Sequence, residues 1–178
     1  MALNDDFRVR GILAHRLVEC FFQQPGALTM AEGDIEPWYE KTFDTLIAEN
    51  GGITVGAAAA AAEAIRYVRA LWEDANVGPE ASICVTAYSA RTRDAIQEAL
   101  QATGIATVVI SAETNHDQTP QVVRLATMHR VKGLEFDAMI VVAPEAAFGP
   151  PTDTQVQRKL LYVALTRAKR AAPLVRMG

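Results

Sequence analysis

RLATMHRVKGLEFDAMIVV, residues 124–142, decides how this 178-residue chain is read. It joins two short apolar runs, VVRLAT and DAMIVVA, through a turn holding Thr127, His129, Lys132, Gly133 and Glu135. Neither run alternates apolar with polar residues, so both read as strands of a parallel sheet covered on both faces. In such sheets ligands gather beyond the carboxyl ends of the strands. That expectation puts Thr127, His129 and Lys132 at one strand end. Gly133 lets the backbone approach an anion closely. Glu135, an acceptor only, suits a sugar hydroxyl. The same residues also fit a capped turn with a solvated lysine and glutamate, and on spacing alone both readings stand.

Outward from this stretch the pattern repeats. SICVTAY (82–88) and IATVVIS (105–111) are strand-like, and RTRDAIQEALQAT (91–103) between them is a helix closed by Gly104. After a loop with three prolines, DTQVQRKLLYVALTRAKRAA (153–172) reads as one helix capped by Thr152 or Asp153, and PLVRM (173–177) as the start of a last strand. Upstream, the apolar spacing predicts three helices: in 4–26; in EPWYEKTFDTLIAENGG (36–52), with Pro37 in its first turn; and in GAAAAAAEAIRYVRALWED (56–74). The expected organisation is one α/β domain over 1–178, mostly helical in 1–80 and alternating strand and helix in 81–178. Both ends look like cuts through something larger.

Composition narrows the function. The net charge is −4 and the pI about 5.4, so no globally basic face exists, and contact with nucleic acid would need a few placed residues. Cys20 and Cys84 lie apart in apolar surroundings and read as free thiols of a reducing compartment. His15, His116 and His129 are scattered, so no metal site is expected. No leader or membrane-length apolar run is present in the sequence given, which reads as a soluble cytoplasmic protein. GGITVGAAAAAAE lacks the Gly-Lys-[Ser/Thr] ending of a phosphate-binding loop, and that loop occurs nowhere else in the 178 residues. The chain by itself is therefore not expected to hydrolyse a nucleotide. Late in the last helix, Arg167 is held where a guanidinium could reach a phosphate. Lys169 and Arg170 behind it suit the helix dipole, a role that Arg167 could share.

TMHRVKGLEFDAMIVV resembles motif V of the UvrD/Rep-type superfamily 1 DNA helicases, T-x-H-x-x-K-G-L-E-[FW]. RKLLYVALTRAKR resembles their motif VI, R-R-L-x-Y-V-A-x-T-R-A, and LNDDFR (3–8) their shorter motif IV, L-x-x-N-Y-R. The three stand in the family's order. The resemblance implies a RecA-like, three-layer domain with a mainly parallel sheet and an N-terminal helical segment: the second motor domain of a larger helicase. ATP with Mg²⁺ would be bound mainly by a first motor domain that carries the Walker motifs. By the same resemblance Arg8 and Arg167 would contact the γ-phosphate, Gly133 and Glu135 would approach the nucleotide, and Thr127 and His129 would touch single-stranded DNA. The partners implied are single-stranded DNA and the first motor domain, with no membrane. Some positions depart from the pattern. The QVQ stretch at 155–157 is neutral where relatives are acidic, and Lys159 replaces an arginine. Tyr88 stands where relatives often place an arginine, and is expected to stack on a base instead. Only SAETNHDQTPQ (111–121) lies where larger members insert a 2B domain. The alternative is a free-standing, non-catalytic RecA-like module that binds DNA or a protein partner.

Overall fold

The computed structural model describes residues 20–49, 54–111, 119–144, 147 and 151–178. Arg8 lies outside the described residues, as does nearly all of the first expected helix. The elements are α1 (Glu32–Glu49), β1 (Thr54–Val55), α2 (Ala57–Glu73), β2 (Ile83–Ala87), α3 (Ala90–Ala102), β3 (Ala106–Val109), β4 (Val122–Thr127), β5 (Phe136–Pro144), α4 (Pro151–Thr166), β6 (Ala168–Ala171) and β7 (Leu174–Met177). Every described strand pair is parallel, in the order β1-β7-β5-β2-β4-β3, with β6 also beside β5.

Residue alternation along the central strands builds two cores. Ile83, Val85 and Ala87 of β2, with Ala138, Ile140 and Val142 of β5, pack under α2 and α3. Cys84, Met139, Val141 and Ala143 project to the other face, under α4 and the 128–135 connection. The unbroken apolar runs follow from this: a strand covered on both faces needs an apolar residue at every position. Helix α2 meets its core with Ala60, Ala64, Tyr67, Val68 and Leu71, all on one helical stripe. Helix α3 starts at Ser89, whose hydroxyl accepts from the Thr92 N–H at 3.1 Å. It ends where Gly104 takes φ +81°, and the N–H groups of Gly104 and Ile105 cap the carbonyls of Gln101 and Leu100.

Two sequence expectations change. Helix α1 begins at Glu32 rather than beside Pro37, so the proline lies inside the helix. Between α1 and α2 the short strand β1 also joins the sheet edge beside β7. The last helix stops at Thr166, and Ala168–Ala171 is strand β6. AKRAA has good helix propensity, but its backbone groups pair with β5 instead, and tertiary pairing overrides propensity here. Lys169 and Arg170 are therefore not late helix charges. β6 and β7 run end to end along β5 across Ala172-Pro173, and the Pro173 carbonyl still accepts from the Val141 N–H at 2.9 Å.

Candidate functional site

The sequence-predicted residues divide between two opposite edges of one sheet. Thr127 closes β4 in register with Ala87, and Ala87 pairs with Val142 of β5. Tyr88 follows Ala87 directly, and the Ala87 carbonyl accepts from the Met128 N–H at 3.0 Å. Tyr88, Thr127 and His129 thus share the carboxyl edge of the central strands. Phe136 begins β5 at the opposite edge, about 20 Å away at strand rise. Gly133 and Glu135 lie just before it, and the Phe136 N–H donates to the Arg167 carbonyl at 3.1 Å. Gly133, Glu135 and Arg167 therefore share the amino edge. The expectation of one cluster beyond a carboxyl end is corrected: the connection from Thr127 to Glu135 starts at that edge and finishes at the other.

The connection holds to the sheet by two buried anchors, Met128 and Val131, on the α4 face. Turn bonds from Arg130 to Thr127 (2.9 Å) and from Leu134 to Val131 (3.0 Å) shape it. With the apolar residues turned inward, His129, Arg130, Lys132 and Gly133 are exposed. Gly133 adopts φ +86°, a left-handed conformation costly for other residues, and nothing lies within 4 Å of where a Cβ would stand. Its backbone is open to an incoming group.

At the carboxyl edge Tyr88 is half-buried and packs against the α4-face core, and burial pushes its phenol pKa up. Part of its ring is thus already used in packing. Thr127 is half-buried and His129 exposed.

At the amino edge Arg167 occupies the one-residue break between α4 and β6. Its N–H donates to the Ala164 carbonyl at 3.2 Å, so both backbone groups of this residue are fixed. The side chain is half-buried, and its Nε is enclosed without a hydrogen-bond partner among the described residues. Lys169 Nζ stands 3.5 Å from Glu135 Oε2, a pair more than half exposed and hence weak. Sequence reasoning missed a further network here. Asp137 Oδ2 accepts from the Ser82 N–H (2.9 Å) and hydroxyl (3.1 Å), while the Ser82 Oγ accepts from the Asp137 N–H (2.9 Å). Arg170 Nε lies 3.6 Å from Asp137 Oδ1, and its Nη1 donates to the carbonyls of Asn76 (3.0 Å) and Val77 (3.3 Å). The sequence signal was an aspartate directly after the motif V aromatic residue. Its partners are 55 and 33 residues away, beyond the reach of any local pattern.

Chemically, the amino edge offers an exposed carboxylate acceptor at Glu135, an open backbone at Gly133 and a permanently charged guanidinium at Arg167 whose Nη groups make no bond among the described residues. That set suits a polyhydroxylated, anionic ligand such as a nucleotide. Among the described residues no group of three or more His, Cys, Asp or Glu side chains could hold a metal ion, and no helix is long and apolar enough to cross a membrane.

The fold is an α/β domain built on a mainly parallel sheet. Residues 123–175 match the model of the UvrD-like helicase C-terminal domain. The chain is 36% identical over 78 residues to the ATP-dependent DNA helicase UvrD1 of Mycobacterium leprae, and 38% identical over 68 residues to UvrD2 of Mycobacterium tuberculosis. These stretches are 38% and 33% of this chain, but in each case only 10% of the relative's length. Among solved structures, the C-terminal domain of a possible DNA helicase from Lactobacillus plantarum shares the fold, with a TM-score of 0.52 at 22% identity over 70% of each chain. The resemblance to UvrD-type helicases read from the motifs is borne out.

Proposed function

We propose that this chain is the second motor domain of an ATP-dependent DNA helicase or translocase, acting with a first RecA-like domain that carries the Walker motifs and holds most of the nucleotide and its Mg²⁺. The observation that carries the reading is Arg167: a guanidinium held by its backbone at the amino edge, its Nη groups unbonded among the described residues, one residue across from Glu135 through the Phe136 bond and at the same edge as Gly133. The Arg167 Nε is walled in, so the Nη groups, which make no bond among the described residues, are the donors that an arriving phosphate oxygen would meet.

On domain closure Arg167, with Arg8, stabilises the charge that develops on the transferring phosphoryl group. Gly133 lets the main chain come close, and Glu135 accepts from ribose hydroxyls. Thr127 and His129, with Tyr88 alongside, grip single-stranded DNA at the far edge. Opening and closing then move the DNA grip relative to the first domain. Hydrolysis requires the first domain, so this chain alone is inactive. The test is steady-state ATPase of the polypeptide that joins this chain to its Walker-bearing domain. Arg167→Ala should abolish DNA-stimulated turnover; unchanged turnover overturns the reading.

A further inference from the structure

The Ser82–Asp137–Arg170 network lies at the same edge as Arg167 and belongs to none of the motif roles. It ties together three segments far apart in the sequence: the connection from α2 into β2 (residues 76–82), the start of β5, and β6. The Ser82–Asp137 exchange is reciprocal, each residue both donating to and accepting from the other, so it locks the register in which Ile83 faces Ala138. Arg170 adds the strand that leaves Arg167. Its guanidinium satisfies two carbonyls and faces a carboxylate in one planar fork, a geometry lysine does not reproduce. Arg167 is three residues upstream, and its carbonyl is bonded to Phe136, the neighbour of Asp137. The break between α4 and β6 is thus held on its strand side by β5 and by this clasp.

We propose that Arg170, seated by Asp137 and the 76–77 carbonyls, is the positioning residue that aims Arg167. The proposal rests on the reading of Arg167 given above. Arg170 itself touches no nucleotide. It keeps the first residues of β6 flat against β5, so that the Arg167 guanidinium has one direction rather than several. A misplacement of about 1 Å at such a group can cost about a hundredfold in rate.

The experiment has two arms. In this chain, amide hydrogen exchange should quicken at Phe136 and Ala138 in Arg170→Ala and in the milder Asp137→Asn, while α2 and α3 amides keep their protection. A uniform rise across the whole chain marks a merely stabilising contact and overturns the proposal. In the polypeptide with the Walker-bearing domain, Arg170→Ala should lower ATPase kcat about tenfold with KM for ATP within twofold, and Arg170→Lys should recover only part of the loss. Breaking the exposed Arg66–Glu63 pair by Arg66→Ala serves as the control and should leave kcat unchanged. Combining Arg170→Ala with Arg167→Ala should be no worse than Arg167→Ala alone, because Arg170 acts only through it. Multiplicative losses overturn the positioning role. If Arg167→Ala alone keeps full activity, the functional reading itself fails. If it loses activity while Arg170→Ala keeps it, only the clasp fails.

Discussion

The two edges of the sheet are built differently. At the amino edge nearly every placement is doubly determined: Arg167 by bonds on both its backbone groups, Asp137 by a reciprocal exchange with Ser82, β6 by pairing to β5. At the carboxyl edge the connection leaves β4 through the Met128–Ala87 bond and then turns His129 outward into solvent. On the proposed reading, the difference separates the work of the two ligands. Charge stabilisation in a transition state depends on donors fixed before the reaction begins. Gripping a flexible, repeating polyanion without sequence preference tolerates looser side chains.

If that contrast is right, the edges fail separately. The largest expected effect is from Arg167→Ala, which should lower DNA-stimulated ATPase by about 10³-fold or more, as for arginines of this type, while single-stranded DNA affinity changes little. Fluorescence anisotropy with a labelled oligonucleotide beside the ATPase assay reads both, and a parallel loss of DNA binding would break the separation. His129→Ala should do the converse, weakening single-strand binding by about tenfold with KM for ATP held within twofold. A shift in KM instead would move His129 to the wrong edge.

Gly133→Ala sharpens the comparison at the hinge between the two jobs. With φ +86° and open space around it, the added methyl meets no atom, so the cost is backbone conformation alone, about 1–2 kcal/mol in urea unfolding. An unchanged midpoint would mean that the turn relaxes freely and is not fixed. The smallest effect expected is alkaline. Burial raises the Cys84 thiol above its ordinary 9.0 and the Tyr88 phenol above its ordinary 10.0. Both raised groups keep their protons in the folded chain at pH values where the unfolded chain releases them. Stability should thus be full below about pH 9 and fall as pH rises beyond it, first through Cys84 and then through Tyr88. Tyr88→Phe should flatten the later part of that fall in a Tm–pH series. Tyr39, also raised by burial, keeps some of it.

Much of this was legible in the residues. VVRLAT and DAMIVVA announced covered parallel strands because alternation was missing from them, and Ser89 and Gly104 marked both ends of α3. The motif residues were found by pattern, and the fold then sorted them. What sequence could not carry was direction across the sheet. Thr127 and Glu135 are eight positions apart, and nothing local says whether the chain between them turns in place or crosses the sheet. It crosses because β5 starts level with the start of β2, a register set by Ser82, 55 residues before Asp137. The same non-local pairing explains β6. AKRAA prefers a helix by itself, and only the free edge of β5 beside it makes a strand of those residues.

The crossing from Thr127 to Phe136 has a mechanical consequence. Nine peptide steps reach roughly 30 Å when drawn out fully, while about 20 Å along the strands and about 10 Å sideways past β2 make a direct span of roughly 22 Å. The surplus is held in the two turns. A pull on either end of the crossing is met first by those turns opening, so the segment stores length like a short spring.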